Sequence, residues 1–88
     1  MRDLGSLENI IRELLEDEWF IDDVYIDSEG NLGYRIDIGE NLHSIFIERD
    51  YEMAVTTMTV KTFDIEVGTK DIWNLEDFEE GVLELCQG

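Results

Sequence analysis

The chain has 88 residues, 43% of them hydrophobic and 10% aromatic, with 23 acids against six bases for a formal charge of −17. That length holds one domain, residues 1–88, with a modest core, and the apolar fraction excludes a disordered acidic tail, which couples charge to low hydrophobicity. A net charge of about 2 to 8 already suffices to keep a small domain soluble, so the surplus asks for another use; it repels nucleic acid and anionic membranes and attracts basic protein surfaces.

The N-terminal MRDLGSLENI has acids and no long apolar run, so neither a secretory signal nor a membrane span is expected there. With one cysteine, Cys86, an intramolecular disulfide is excluded, and the cytoplasm is the expected location. Leu7, Ile10, Ile11, Leu14 and Leu15 fall at helical spacing behind Ser6, a natural N-cap, and predict a helix over about residues 7–18 with these side chains inward. Its last turn, Glu16-Asp17-Glu18, sets negative charge against the negative end of the helix dipole.

From Trp19 the pattern turns β-branched and aromatic. WFIDDVYID reads as a strand that is apolar on both faces, which implies either a central strand covered twice or a face that meets a partner, the latter being preferred. SEGN makes a tight turn, LGYRIDI alternates with Leu32, Tyr34, Ile36 and Ile38 on one face, GEN turns again, and LHSIFIE gives a third strand. Residues 51–67 predict either one long bent strand or two, with a helix over 51–60 as the lesser alternative. In WNLEDFEEGVLELCQ, Asn74 is an N-cap, Asp77 stands in capping-box position, Trp73 and Phe78 have staple spacing, and Leu75, Phe78, Val82 and Leu85 face inward. Gly81 costs that helix about 1 kcal/mol relative to Ala unless something packs closely there. The sum is an α+β domain: an N-terminal helix, an antiparallel meander of four or five strands, and a C-terminal helix, with both helices on one sheet face and acid-rich polar alternates on the other.

No catalytic motif is present. A Cys86 nucleophile needs His43 within reach and positive potential to lower its pKa, and this chain supplies negative potential; Cys86 reads as a small apolar filler and His43 as a strand residue. Carboxylates are too numerous for any pair to mark a glycosidase cleft. DSEGN has oxygen ligands but lacks the alternating acids and terminal Glu of an EF-hand, so it reads as a hairpin turn. No enzyme activity, cofactor or metal is expected.

The acids are the remaining signal. Between Arg12 and Arg35 the chain holds eight acids and no base, and Asp17, Glu18, Asp22, Asp23, Asp27 and Glu29 are the expected partner-binding residues, of which Asp17, Glu18, Asp22, Asp27 and Glu29 form a ridge from helix end to hairpin edge that fits a basic groove. In general style the chain resembles small phage-encoded nucleic-acid mimics of the anti-CRISPR and anti-restriction type, through IIRELLEDEWFIDDV, the acidic hairpins and the terminal WNLEDFEEGVLEL. That resemblance implies a nucleic-acid-handling nuclease or CRISPR effector as target, met in the host cytoplasm by a monomer or homodimer. The competing expectations are an immunity protein or antitoxin, a secretion chaperone for a basic client, or an acidic domain adapted to high salt.

Overall fold

A computed structural model of the chain describes residues 6–39 and 43–86. The order is α1 (Leu7–Glu16), β1 (Asp23–Ile26), β2 (Leu32–Ile38), β3 (His43–Asp50), β4 (Val55–Thr62), β5 (Ile65–Ile72) and α2 (Leu75–Leu85). The five strands form one antiparallel sheet in sequential order, the meander expected, with both helices on one face. The turn expected at Gly39–Asn41 falls largely outside the described residues; Gly39 itself has φ +63°.

The Ser6 hydroxyl accepts from the Asn9 amide at 3.3 Å and starts α1 as its sequence predicts. The helix stops two residues early, at Glu16. The Glu18 amide bonds to Leu15 O and the Trp19 amide to Leu14 O, with Glu18 at φ +67°. This is a Schellman ending with glutamate where glycine is usual. It drops Trp19 beside the core, where its ring meets Phe78 edge-on, centroids 5.0 Å apart and planes 84° apart. Phe78 therefore packs on Trp19, and Trp73, its expected staple partner, is left half exposed.

Strand one is shorter than expected and lies at the sheet edge, not its centre. Asp22 ends it: its amide bonds to Arg35 O while its carboxylate takes the Asp37 amide at 2.7 Å, in place of the backbone carbonyl that would have carried the ladder on. Trp19 and Ile21 are thereby freed to pack on the core, and the two apolar faces read from WFIDDVYID belong to two segments of different direction.

The 51–67 stretch resolves into a turn at 51–54 and two strands joined at Phe63-Asp64, a two-residue turn with φ +53° and +65°. Positive φ at both central positions is the twist-matched hairpin geometry that Asn-Gly satisfies without strain. A Phe there hides the turn from sequence reading. The helix alternative for 51–60 is excluded.

Ile10, Leu14, Ile36, Ile45, Ile47, Met58, Val60, Ile72 and Phe78 are fully buried between the sheet and the helices. Leu15, expected inward, is 54% exposed, because the buried stripe of α1 is only as wide as Leu7, Ile10, Ile11 and Leu14. On α2 the Asn74 side chain accepts from the Asp77 amide and Asp77 returns a bond to the Trp73 amide, each at 2.9 Å. Gly81 lets α2 pack closely: a Cβ there would collide with Met58 Sδ, forcing that buried side chain to shift, and approach Lys70 Cδ to 3.3 Å.

Candidate protein-binding surface

The open face of the sheet is more mixed than the expected row of acids. Along β3, Ser44, Phe46 and Glu48 alternate with buried His43, Ile45, Ile47 and Arg49. The strand registers set Tyr25, Arg35, Phe46 and Thr59 across the same side. Tyr25 and Phe46 meet edge-on at 5.9 Å, and the Lys61 ammonium lies 5.0 Å above the Phe46 ring. Arg35 reaches Asp23 at 3.8 Å and Asp37 at 3.4 Å, the second as a charge contact without hydrogen-bond geometry, while the Ser44 hydroxyl donates to Asp37 at 2.9 Å. Two cations thus partly offset the acids of this face.

The acids concentrate elsewhere. Residues 7–18 carry Glu8, Glu13, Glu16, Asp17 and Glu18 against Arg12, which pairs loosely with Glu16 at 3.9 Å. On α2 stand Glu76, Asp77, Glu79, Glu80 and Glu84 without a base, and Lys70 reaches from β5 to Glu80 at 3.7 Å and Glu84 at 3.5 Å. These pairs are mostly solvent-exposed and each contributes little, about 0–1 kcal/mol.

A second concentration forms where the meander brings the β1–β2 and β3–β4 turns to the same end of the sheet. Asp27, Glu29, Glu48 and Asp50 line one concavity together with Ser28, Arg49 and Thr57. Asp27 Oδ1 accepts from the Glu29 and Asn31 amides, each at 2.9 Å; Asp50 Oδ1 accepts from the Glu52 and Met53 amides, each at 3.0 Å. Both turns are thus pinned by one oxygen of an aspartate, the Asx-turn device. The cation in the lining, Arg49, is buried on the helix side and donates to Thr56 at 3.1 Å. DSEGN is therefore a hairpin turn, with Gly30 at φ +84° and its acid oxygen spent on backbone amides.

The six acids singled out from sequence fall in three places. Asp27 and Glu29 join Glu48 and Asp50 in the acidic concavity. Asp17 lines a different hollow with Glu13, Glu16 and Leu75, and Glu18 follows it at the exposed helix end. Asp22 and Asp23 are held at the start of β1 by the Asp37 amide and by Arg35. Glu48 and Asp50 were missed because their strand lies some twenty residues away in sequence; only the turn-to-turn pairing of a meander brings them to Asp27.

Burial pushes the Cys86 thiol above its ordinary pKa, which disfavours the thiolate. His43 is buried on β3 with Nδ1 2.6 Å from the Thr62 hydroxyl. Among the described residues no group of three His, Cys, Asp or Glu side chains is placed to hold a metal ion, and no helix is long and apolar enough to cross a membrane. Comparison with protein-family models, curated proteins and solved structures gave no match.

Proposed function

We propose that this protein is a non-enzymatic cytoplasmic inhibitor that occupies the basic nucleic-acid-binding surface of a defence nuclease or CRISPR effector, with carboxylates standing where phosphates would. The observation that carries the reading is the shared acidic end of the sheet, where Asp27, Glu29, Glu48 and Asp50 converge and the nearby guanidinium is buried. Glu48 and Asp50 alternate along one strand face, a step of about 6.6–6.8 Å. Phosphates of one DNA strand advance about 3.4 Å along the axis and lie farther apart along the backbone, so such a row is within reach of the spacing a phosphate-binding groove expects. Arg and Lys in that groove would form charge-assisted hydrogen bonds to the carboxylates, and the charge of −17 would speed encounter while opposing direct binding to nucleic acid.

The test is capture of host proteins on the immobilised chain at low and high salt, followed by challenge with duplex DNA or guide RNA. Release of a retained nucleic-acid enzyme by the nucleic acid supports the reading. A partner that stays bound together with its own DNA overturns it and points to an immunity-protein or chaperone role.

A further inference from the structure

The helices cover the sheet unevenly. Across the order β1-β2-β3-β4-β5, α1 packs on β3 and α2 on β4 and β5, and β1 receives no comparable cover. On the helix side of β1 and β2, Val24 stands opposite Tyr34 and Ile26 opposite Leu32, with Ile36 and Ile38 farther along: no residue of that face is charged. Tyr34, Ile36 and Ile38 join the core, but Val24 is 51%, Ile26 64% and Leu32 48% exposed. The opposite wall is α1. Glu13 lines a hollow with Leu75 of α2, and Leu15, two residues on, lies about 200° round the helix, so the exposed leucine is on the flank turned away from α2.

The result is an apolar trough between α1 and the edge strand. Two strands at about 4.8 Å spacing span about 10 Å, which matches the width of one helix with its side chains, about 10–12 Å. Charge selects what fits. From Glu18 to Asn31, along β1 and both its ends, the chain has Glu18, Asp22, Asp23, Asp27 and Glu29 and no Lys or Arg. A second copy would bring the same acids to the same border, whereas Lys and Arg flanking an apolar stripe would be complementary.

We propose that the uncovered face of β1 and β2 seats a basic amphipathic helix of a partner protein, completing the helical layer as a third helix. Its apolar stripe lies on Ile26, Leu32, Val24 and Leu15, and its flanking cations meet the acids at the two ends of β1. The proposal shares Asp27 and Glu29 with the acidic end of the sheet but rests on the apolar seat of Val24, Ile26 and Leu32, so its failure and that of nucleic-acid mimicry are separable: DNA challenge addresses one and peptide binding the other.

The test uses a fluorescein-labelled Leu/Lys peptide of about five helical turns with its leucines in one stripe, and a permuted peptide of the same composition with leucines spread round the helix. Fluorescence anisotropy at physiological salt should show the striped peptide bound about tenfold tighter or better. Ile26→Ser with Leu32→Ser should remove that preference, and Leu83→Ser, an exposed leucine on α2, should leave it intact. Equal affinity for the two peptides overturns the proposal, as does an equal loss in Leu83→Ser. So does a wild-type dimer in sedimentation that the double variant dissolves, since a second copy then fills the trough. Should the double variant fail to fold, amide shift mapping on the wild-type chain decides: perturbations at Leu15, Val24, Ile26 and Leu32 support the seat, and perturbations confined to other residues reject it.

Discussion

The Tyr25 hydroxyl donates to Glu48 Oε2 across 2.5 Å, joining β1 to β3 over the backbone of Gly33 on the strand between them. Burial, then the hydrogen bond to Glu48 and its charge, push the Tyr25 phenol well above its ordinary pKa. A Cβ on Gly33 would fall into the Tyr25 ring. Tyr25→Phe should lower stability by about 1 kcal/mol, and Gly33→Ala should cost more, since it displaces the ring as well as breaking the bond. The pH dependence has a defined sign. The fold raises this pKa, so the stabilisation is complete below the unfolded value of about 10 and is lost as pH climbs toward the folded one. Denaturant melts of wild type and Tyr25→Phe should differ by a constant amount up to pH 9 and converge above about pH 10; a gap that widens there would contradict the assignment.

Glu18 combines two unfavourable features: a left-handed backbone and a carboxylate at the C-terminal end of α1. Glu18→Gly should therefore stabilise the fold by about 1 kcal/mol, raising Tm by about 4–8 °C in a domain this small. If Glu18 also faces the partner, the same variant binds it more weakly while melting higher. Thermal melts and partner titration on one preparation separate the two effects.

Phe63-Asp64 is a hairpin turn in which Phe63, 65% exposed, resists the left-handed geometry that Asp64 tolerates more readily. Strain of this kind costs about 1–3 kcal/mol per residue. Replacement by Asn-Gly should raise Tm by several degrees without altering the sheet, checked by melting and by preserved cross-strand amide protection in β4 and β5. A lower Tm would mean that Phe63 contributes packing that outweighs the strain.

Charge and fold can be separated at the acidic end of the sheet. Asp27→Asn and Asp50→Asn keep the oxygen that pins each turn, and Glu29→Gln removes charge at an exposed position. The triple variant should retain wild-type stability or gain slightly, because like charges are relieved, while its association rate with a basic partner falls and loses much of its salt dependence. Reversal of the same residues to Lys would be a poorer experiment, since it also unpins the turns. Stopped-flow association at two ionic strengths checks the expectation, and unchanged rates would place the interface elsewhere.

Wild-type Tm should rise with salt. Screening shortens the Debye length from about 30 Å at 0.01 M to about 8 Å at 0.15 M, and residues 7–18 and α2 together carry ten acids facing Arg12 and Lys70. Coincident melts at the two salt concentrations would show the acids to be internally compensated.

Local patterns reached far in this chain. Both helix N-caps, the inward stripe of α1 short of Leu15, the β2 alternation and the SEGN turn were legible because each depends on residues within a few positions of one another. So was the α+β order, since helix and strand periods differ and the meander follows from short connections. The sequence also established the acid excess and the tension at the end of α1, where charge meets the helix dipole.

What lay beyond it were relations between distant segments and violations of local preference. Nothing near WFIDDVYID states that the Asp22 carboxylate will take the Asp37 amide and end the strand, or that Trp19 will find Phe78 instead of Trp73 doing so. The Phe63-Asp64 turn was hidden because Phe63 disfavours the conformation it adopts. The six expected partner-binding acids lie in one continuous segment of sequence, but the tertiary structure distributes them over three places and adds Glu48 and Asp50 to Asp27 and Glu29. Composition determines how much charge a chain carries; the pairing of its strands decides which carboxylates become neighbours, because that pairing, not sequence distance, sets the separations over which Coulomb forces act.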